Sequence, residues 1–96
     1  MKLEEWRSEI DEIDTEIVAL LERRAKVAKK IGVLKAHAGL PVVDPSREEN
    51  VIRHINAKNS GALPREALTR IYQRILVESR SVQVEAISAI SRGAEV

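Results

Sequence analysis

The sequence has 96 residues, of which 44% are hydrophobic and only 2% aromatic, and its formal net charge is +1. A chain of this length has room for a single domain, 1–96, with a modest aliphatic core, so contact with a partner subunit would add useful burial. The near balance of charge argues against a nucleic-acid interface or a basic membrane arm, and the absence of cysteine excludes disulfides and thiolate metal sites.

The amino-terminal stretch MKLEEWRSEIDEID is too acidic and too amphipathic for a signal peptide. No apolar run approaches the length of a membrane span. We therefore expect a cytoplasmic protein, and a cysteine-free composition fits that reducing compartment.

Apolar residues of the first third recur at spacings of three and four, as expected for one face of a helix. They are Trp6, Ile10, Ile13, Ile17, Leu20, Val27, Ile31 and Leu34. From about Glu4 to His37 there is no proline, and the only glycine is Gly32. The pattern predicts one helix of roughly 30 residues, near 50 Å long at ~1.5 Å per residue.

Two shorter helical segments follow the first. Gly39 and Pro41 end the long helix, and Asp44 can cap a second helix that runs from about Pro45 to Ala57. A third helix is predicted from Pro64 to about Ser91. Because no segment shows the period-two pattern of a strand, the sequence predicts an all-α fold of three helices per chain.

A cation occupies a core position of the first stripe. Arg24 lies seven residues after Ile17 and seven before Ile31, within about 20° of both around the helix. Lys35 shares this face, roughly 16 Å further along the axis. An unpaired buried charge costs several kcal/mol, so either a carboxylate or an anionic ligand must be nearby. The possible internal partners are Asp14, Glu48 and Glu78.

Polar residues also occupy inward positions of the other two helices. Arg47 and Glu48 precede the apolar face of the second helix, and Ser79 and Gln83 interrupt that of the third. Each alone has an ordinary structural explanation, such as a serine bonded to its own helix. Together with the cations of the first helix, they predict a polar pocket that holds an anion.

Arg7 borders the same apolar stripe but lies 17 residues from Arg24, about 25 Å along the helix. It cannot share a small ligand with Arg24 of its own chain. If two copies of the helix pair antiparallel, Arg7 of one copy lies beside residues 29–33 of the other. The spacing therefore allows a dimer with two shared sites, and a solvated surface arginine is the alternative.

No residue pattern indicates covalent, phosphoryl or metal chemistry. His37 and His54 are the only histidines, and neither has a cluster of further ligands near it in the sequence. A Ser/His/Asp set and a glycine-rich phosphate loop are both missing. We expect no metal and no cofactor.

Three stretches of the chain resemble the small all-helical class of chorismate mutases. They are WRSEIDEIDTEIVALLERRAKVAKKIGVLK, PVVDPSREENVI and LTRIYQRILVESRSVQ. The joint pattern combines an early arginine, ERR with a lysine eleven residues later, D-x-x-R-E after a proline loop, and E-S-x-x-x-Q. The resemblance implies an intertwined homodimer and conversion of chorismate to prephenate in aromatic amino acid biosynthesis.

The resemblance also implies a role for each matching residue. Arg24 and Arg7 of the neighbouring subunit would bind the two substrate carboxylates, with indirect support from Arg47. Lys35 and Gln83 would donate to the ether oxygen of the breaking bond. The remaining contacts, to the ring hydroxyl and to a carboxylate, would come from Glu48, the backbone at Asp44 and Ser79. The chain departs from the family pattern at two positions: Arg23 replaces an acidic residue often seen beside the matching arginine, and Arg80 is an added charge with no assigned role.

Two other functions are compatible with the sequence. An isochorismate pyruvate lyase of the same fold would use the same anion-binding groups for a related pericyclic step. A non-catalytic regulatory or dimerisation module of a larger aromatic-pathway enzyme would need none of them.

Overall fold

The computed structural model describes residues 2–93, which form three α-helices and no strand. They are α1 (Leu3–Ala38), α2 (Pro45–Lys58) and α3 (Arg65–Ser91). The predicted all-α fold is confirmed, and each predicted helix end lies within one residue of the observed one. None of the three helices combines the length and hydropathy needed to cross a membrane.

Local chemistry explains where α1 ends and α2 begins. Gly39 adopts the left-handed conformation, with φ of 68°, and the Leu40 N–H donates to the carbonyl of Lys35 at 2.8 Å. This backbone conformation suits a residue without a Cβ and closes the helix. Asp44 then caps α2, because its carboxylate accepts from the backbone N–H of Arg47 at 3.1 Å.

Helix α3 packs against both other helices, and it approaches α1 closely at Gly32. A Cβ atom on Gly32 would lie 2.9 Å from both the Cα and the carbonyl oxygen of Gln83. Because these are backbone atoms, they cannot move aside as a flexible side chain could. The glycine therefore sets the distance between α1 and α3 where Gln83 is buried.

The single chain is elongated and has a shallow core. Its radius of gyration is 16.7 Å and its extents are 54 × 28 × 14 Å, whereas a compact domain of 100 residues has a radius of about 13 Å. Buried apolar side chains are few and lie where the helices meet. They are Ala28, Val51, Ile55, Leu76 and Ala86.

The long apolar stripe of α1 is exposed to solvent in one chain. Residues 3–22 are all exposed, and Trp6, Ile10 and Ile17 keep 52%, 55% and 47% of their surface accessible. The stripe therefore faces no core within its own chain. The predicted apolar face of α2 does, because Val51 and Ile55 are buried.

We predict that Gly32→Ala destabilises the protein. The added methyl group would force α1 and α3 apart, and overpacking of this kind costs about 1–3 kcal/mol. Urea denaturation followed by circular dichroism measures the change. Lys26→Ala, at an exposed position of the same helix, is the control and should change the free energy of unfolding by less than ~0.5 kcal/mol. Equal stability of the two variants would contradict the close contact.

Candidate active site

A cavity of about 300 Å³ lies among the three helices and the loop after α1. This volume is at the lower end of the range for small-molecule sites. The structure brings seven of the eight predicted binding residues to its wall. They are Arg24, Lys35, Asp44, Arg47, Glu48, Ser79 and Gln83. Apolar side chains complete the lining, namely Val27, Ala28, Ile31, Val42, Val51 and Leu76.

Three larger hollows bring together fewer of these polar groups. One, of about 610 Å³, lies between α2 and α3 and shares only Glu48, Leu76 and Arg80 with the cavity. A second, of about 600 Å³, lies between α1 and α3 and shares only Arg24 and Ser79. A third, of about 460 Å³, shares only Val42 and Arg80. The smaller cavity is therefore the candidate site, because it gathers the groups that could bind a polar ligand.

Lys35 and Gln83 meet at one point of the cavity although they are 48 residues apart in the sequence. The Lys35 ammonium donates to the carbonyl of Val42 at 2.8 Å and to Oε1 of Gln83 at 3.0 Å. An ammonium has three N–H groups, so one donor remains. Within residues 2–93 the Gln83 amide nitrogen makes no hydrogen bond. One N–H group of Lys35 and both N–H groups of Gln83 are thus free for a ligand oxygen.

Arg24 lines the cavity half-buried and forms no salt bridge with the rest of residues 2–93. Two of the three carboxylates that the sequence offered as partners are bound elsewhere. Glu48 pairs with Arg80, and Glu78 pairs with Arg74 at 2.6 Å. The third, Asp14, is exposed and forms no salt bridge in this part of the chain. The salt-bridge interpretation of Arg24 is therefore wrong for these three acids.

The start of α2 supplies backbone and side-chain groups to the cavity. The carbonyl of Asp44 accepts from the backbone N–H of Glu48 at 3.0 Å, in addition to the side-chain cap described above. The N–H of Asp44 itself has no hydrogen-bond partner within residues 2–93. It is the one backbone group of Asp44 that remains for a ligand. The Arg47 side chain is exposed and lines the cavity.

Arg80 also lines this cavity, although the sequence predicts no role for it. Its Nη1 lies 2.6 Å from each carboxylate oxygen of Glu48. The available signal was its spacing, since Arg80 follows the buried Leu76 by four residues and precedes Gln83 by three. That spacing places it on the buried face of α3.

The cavity lining carries an excess of positive charge. Its cations are Arg24, Lys35, Arg47 and Arg80, whereas its acids are Asp44 and Glu48. The excess is two positive charges. Partly buried cations without carboxylate partners are stabilised by a bound anion, and guanidinium groups suit carboxylates in particular. The site therefore favours a small dianion.

Arg7 does not contribute to the cavity of its own chain. It is exposed on α1, where its Nη1 lies 2.9 Å from Oε1 of Glu4. A role for Arg7 in the site requires a second copy of the chain, and stays a prediction.

The histidines offer no metal site. No group of three His, Asp or Glu side chains in the described range could hold a metal ion. His37 and His54 lie on different helices.

Comparison with known proteins identifies the family. The model of chorismate mutase type II matches residues 6–84. The chain therefore belongs to the chorismate mutase type II family. Among its relatives, the bifunctional chorismate mutase/prephenate dehydratase of Aquifex aeolicus is 43% identical over an alignment of 86 residues, and the alignment covers 85% of this chain and 24% of the relative. The chorismate mutase of Methanocaldococcus jannaschii is 41% identical over 54 residues, 56% of this chain and 54% of that one.

Solved structures of the family share the fold. Chorismate mutase from Thermus thermophilus (Form II) superposes with a TM-score of 0.84 at 31% identity, covering 86% of this chain and 94% of that one. Chorismate mutase from Helicobacter pylori in complex with prephenate gives a TM-score of 0.82 at 32% identity, covering 90% and 93%. The three-helix arrangement is thus that of known chorismate mutases.

Proposed function

We propose that this chain is a chorismate mutase, an isomerase that converts chorismate to prephenate by an intramolecular [3,3] rearrangement in phenylalanine and tyrosine biosynthesis. The observation that carries the proposal is the cavity in which Arg24, Lys35 and Gln83 meet with an excess of positive charge. Chorismate is a dianion with an ether bond that breaks, and this cavity offers groups for both features. The proposed pathway fits the expected cytoplasmic location.

Binding of the two carboxylates fixes the shape of the substrate. Arg24 is half-buried and has no internal acid within residues 2–93, so its guanidinium is available to a substrate carboxylate. Arg7 of the partner subunit would bind the second carboxylate, and Ser79 would assist. Holding both ends selects the compact chair-like conformer, so conformational entropy is lost on binding and not during the reaction.

Stabilisation of the ether oxygen lowers the barrier itself. This oxygen gains negative charge as its bond to carbon stretches. The free donors of Lys35 and Gln83 lie beside each other because the Lys35 ammonium is bonded to the Gln83 amide at 3.0 Å. Fixed donors of this kind contribute roughly 3 kcal/mol each in a site sheltered from water.

The start of α2 would orient the ring of the substrate. The carboxylate of Glu48 would accept from the ring hydroxyl, and the backbone N–H of Asp44, which has no partner within residues 2–93, would be a further donor. Arg47 would add positive charge at the exposed side of the cavity. The reaction needs no nucleophile, and catalysis would come from conformational selection and electrostatics alone.

A homodimer completes the proposed site. The apolar stripe of α1 is exposed from Trp6 to Leu34 in the single chain, and such a long apolar surface indicates an interface. Antiparallel pairing of two α1 helices would bury this stripe and bring Arg7 of one subunit to the cavity of the other. The same pairing would deepen the shallow core.

We predict that Arg24→Ala lowers kcat/KM for chorismate at least ~100-fold while the fold and the dimer are retained. The assay follows chorismate disappearance, with circular dichroism as the check on folding. The neighbouring Arg23→Ala is the control, because Arg23 is exposed and should change kcat/KM by less than ~2-fold. Unchanged activity in Arg24→Ala would refute the role of Arg24, and absence of chorismate turnover by the wild-type protein would support the non-catalytic module. Turnover of isochorismate but not chorismate by the wild-type protein would favour the lyase.

We predict a kcat that stays flat between about pH 5 and 8, because an amide such as Gln83 donates without ionising. Gln83→Glu provides the matched variant. Its carboxyl group would donate only when protonated, so activity should rise towards acid pH. A steep fall of the wild-type kcat from acid to neutral pH would exclude the neutral Gln83 as the operative donor.

We predict that subunit mixing rescues two inactive variants. In mixed dimers of Arg7→Ala and Arg24→Ala, one of the two sites contains both arginines, so random exchange should restore about a quarter of the wild-type sites. The control is a mixture of Arg24→Ala and Lys35→Ala, whose defects lie in the same chain's half of the site. No recovery in the first mixture, or equal recovery in both, would show that Arg7 acts elsewhere.

A further inference from the structure

The contact between Arg80 and Glu48 differs from the other salt bridges in the described part of the chain. Of the four, it alone joins two helices, α3 to α2. Its side chains are also the least exposed, at 32% for Arg80 and 26% for Glu48, whereas every other partner is at least 57% exposed. Exposed salt bridges contribute little to the stability of a protein. The Arg80–Glu48 pair is partly buried, so its charges affect neighbouring groups more strongly than those of an exposed pair do.

The pair lies between two hollows of the protein. Arg80 and Glu48 both line the candidate active site, and both also line the groove between α2 and α3. The guanidinium therefore holds the carboxylate at the wall of the active site. A single nitrogen bridges both carboxylate oxygens at 2.6 Å. Since a carboxylate has about four acceptor positions, Glu48 can still accept from a ligand hydroxyl.

The charge of Glu48 would otherwise oppose the substrate. An isolated carboxylate beside a dianion raises the free energy of binding by like-charge repulsion, and this repulsion is stronger in a partly buried site than in water. Arg80 neutralises the charge while leaving the oxygen atoms as acceptors. Without Arg80, the excess of positive charge in the cavity lining would fall from two to one.

We propose that Arg80 is a positioning residue that acts through Glu48: it fixes the carboxylate as an acceptor for the ring hydroxyl and offsets its charge towards the dianionic substrate. This inference rests on the proposed mutase function. Because Glu48 would bind the hydroxyl equally in the ground state and the transition state, the effect falls on KM and not on kcat.

A double-mutant cycle tests the proposal. Arg80→Met is made in the wild-type protein and in Glu48→Gln, and kcat and KM for chorismate are measured for all four proteins. The expected result is an increase in KM of about tenfold for Arg80→Met in the wild type, and of less than ~2-fold in Glu48→Gln. Arg80→Lys, which keeps the charge, should recover most of the loss. Arg92→Met, which breaks the exposed pair with Glu85, is the matched control and should leave KM unchanged.

Three results would overturn the role of Arg80. Equal losses in both backgrounds would mean that Arg80 contacts the substrate directly. An unchanged KM with a lowered melting temperature would mean that the pair only stabilises the fold. A fall in kcat at constant KM would place Arg80 in the chemical step. If Arg80→Met does not fold, Arg80→Gln enters the same cycle with the same expectations.

The same four proteins separate this proposal from the proposed function. Prephenate affinity is measured by calorimetry. As for KM, Arg80→Met should weaken binding in the wild-type protein and have little effect in Glu48→Gln. Absence of turnover by the wild-type protein would refute the mutase function. Turnover by the wild type, together with equal losses of prephenate affinity in both backgrounds, would refute the role of Arg80 alone.

Discussion

Positive charge that the chain's own acids do not neutralise is the constraint on which this site depends. Arg24 and Lys35 project from one helix into a cavity of about 300 Å³, and no salt bridge within residues 2–93 reaches either of them. Glu48, one of the two acids of the cavity lining, is bound by Arg80. Cations held apart from acids in this way cost stability in the empty protein and favour a bound dianion.

The three helices of one chain form the walls of this cavity but enclose only a small hydrophobic core. Helix α1 runs beyond the other helices and leaves its first 20 residues exposed, so one chain has few buried apolar side chains. Where the helices do meet, contact is close: Gly32 lets the backbone of α1 approach Gln83, and this brings Gln83 to Lys35. A second copy, by covering the exposed stripe, would supply both the missing burial and Arg7.

The sequence predicted most of the local structure, because its signals are local. Gly39 and Asp44 marked the helix ends, and helical spacing placed Arg24 and Lys35 on one face. Contacts between side chains of different helices could not be predicted in this way. The pairing of Arg80 with Glu48 joins residues 32 apart on different helices, and periodicity gives no information on which side chains then meet. Spacing likewise cannot tell whether an apolar stripe faces its own chain or another.

The most direct test of the proposed dianion site, shared between two copies, is chorismate turnover measured across protein concentrations that span dissociation of the proposed dimer. Molecular mass is followed in the same samples by light scattering. The account predicts that turnover per chain falls in step with the fraction of dimer, because a lone chain lacks the second arginine for the substrate carboxylates. Full turnover by a demonstrated monomer would contradict it.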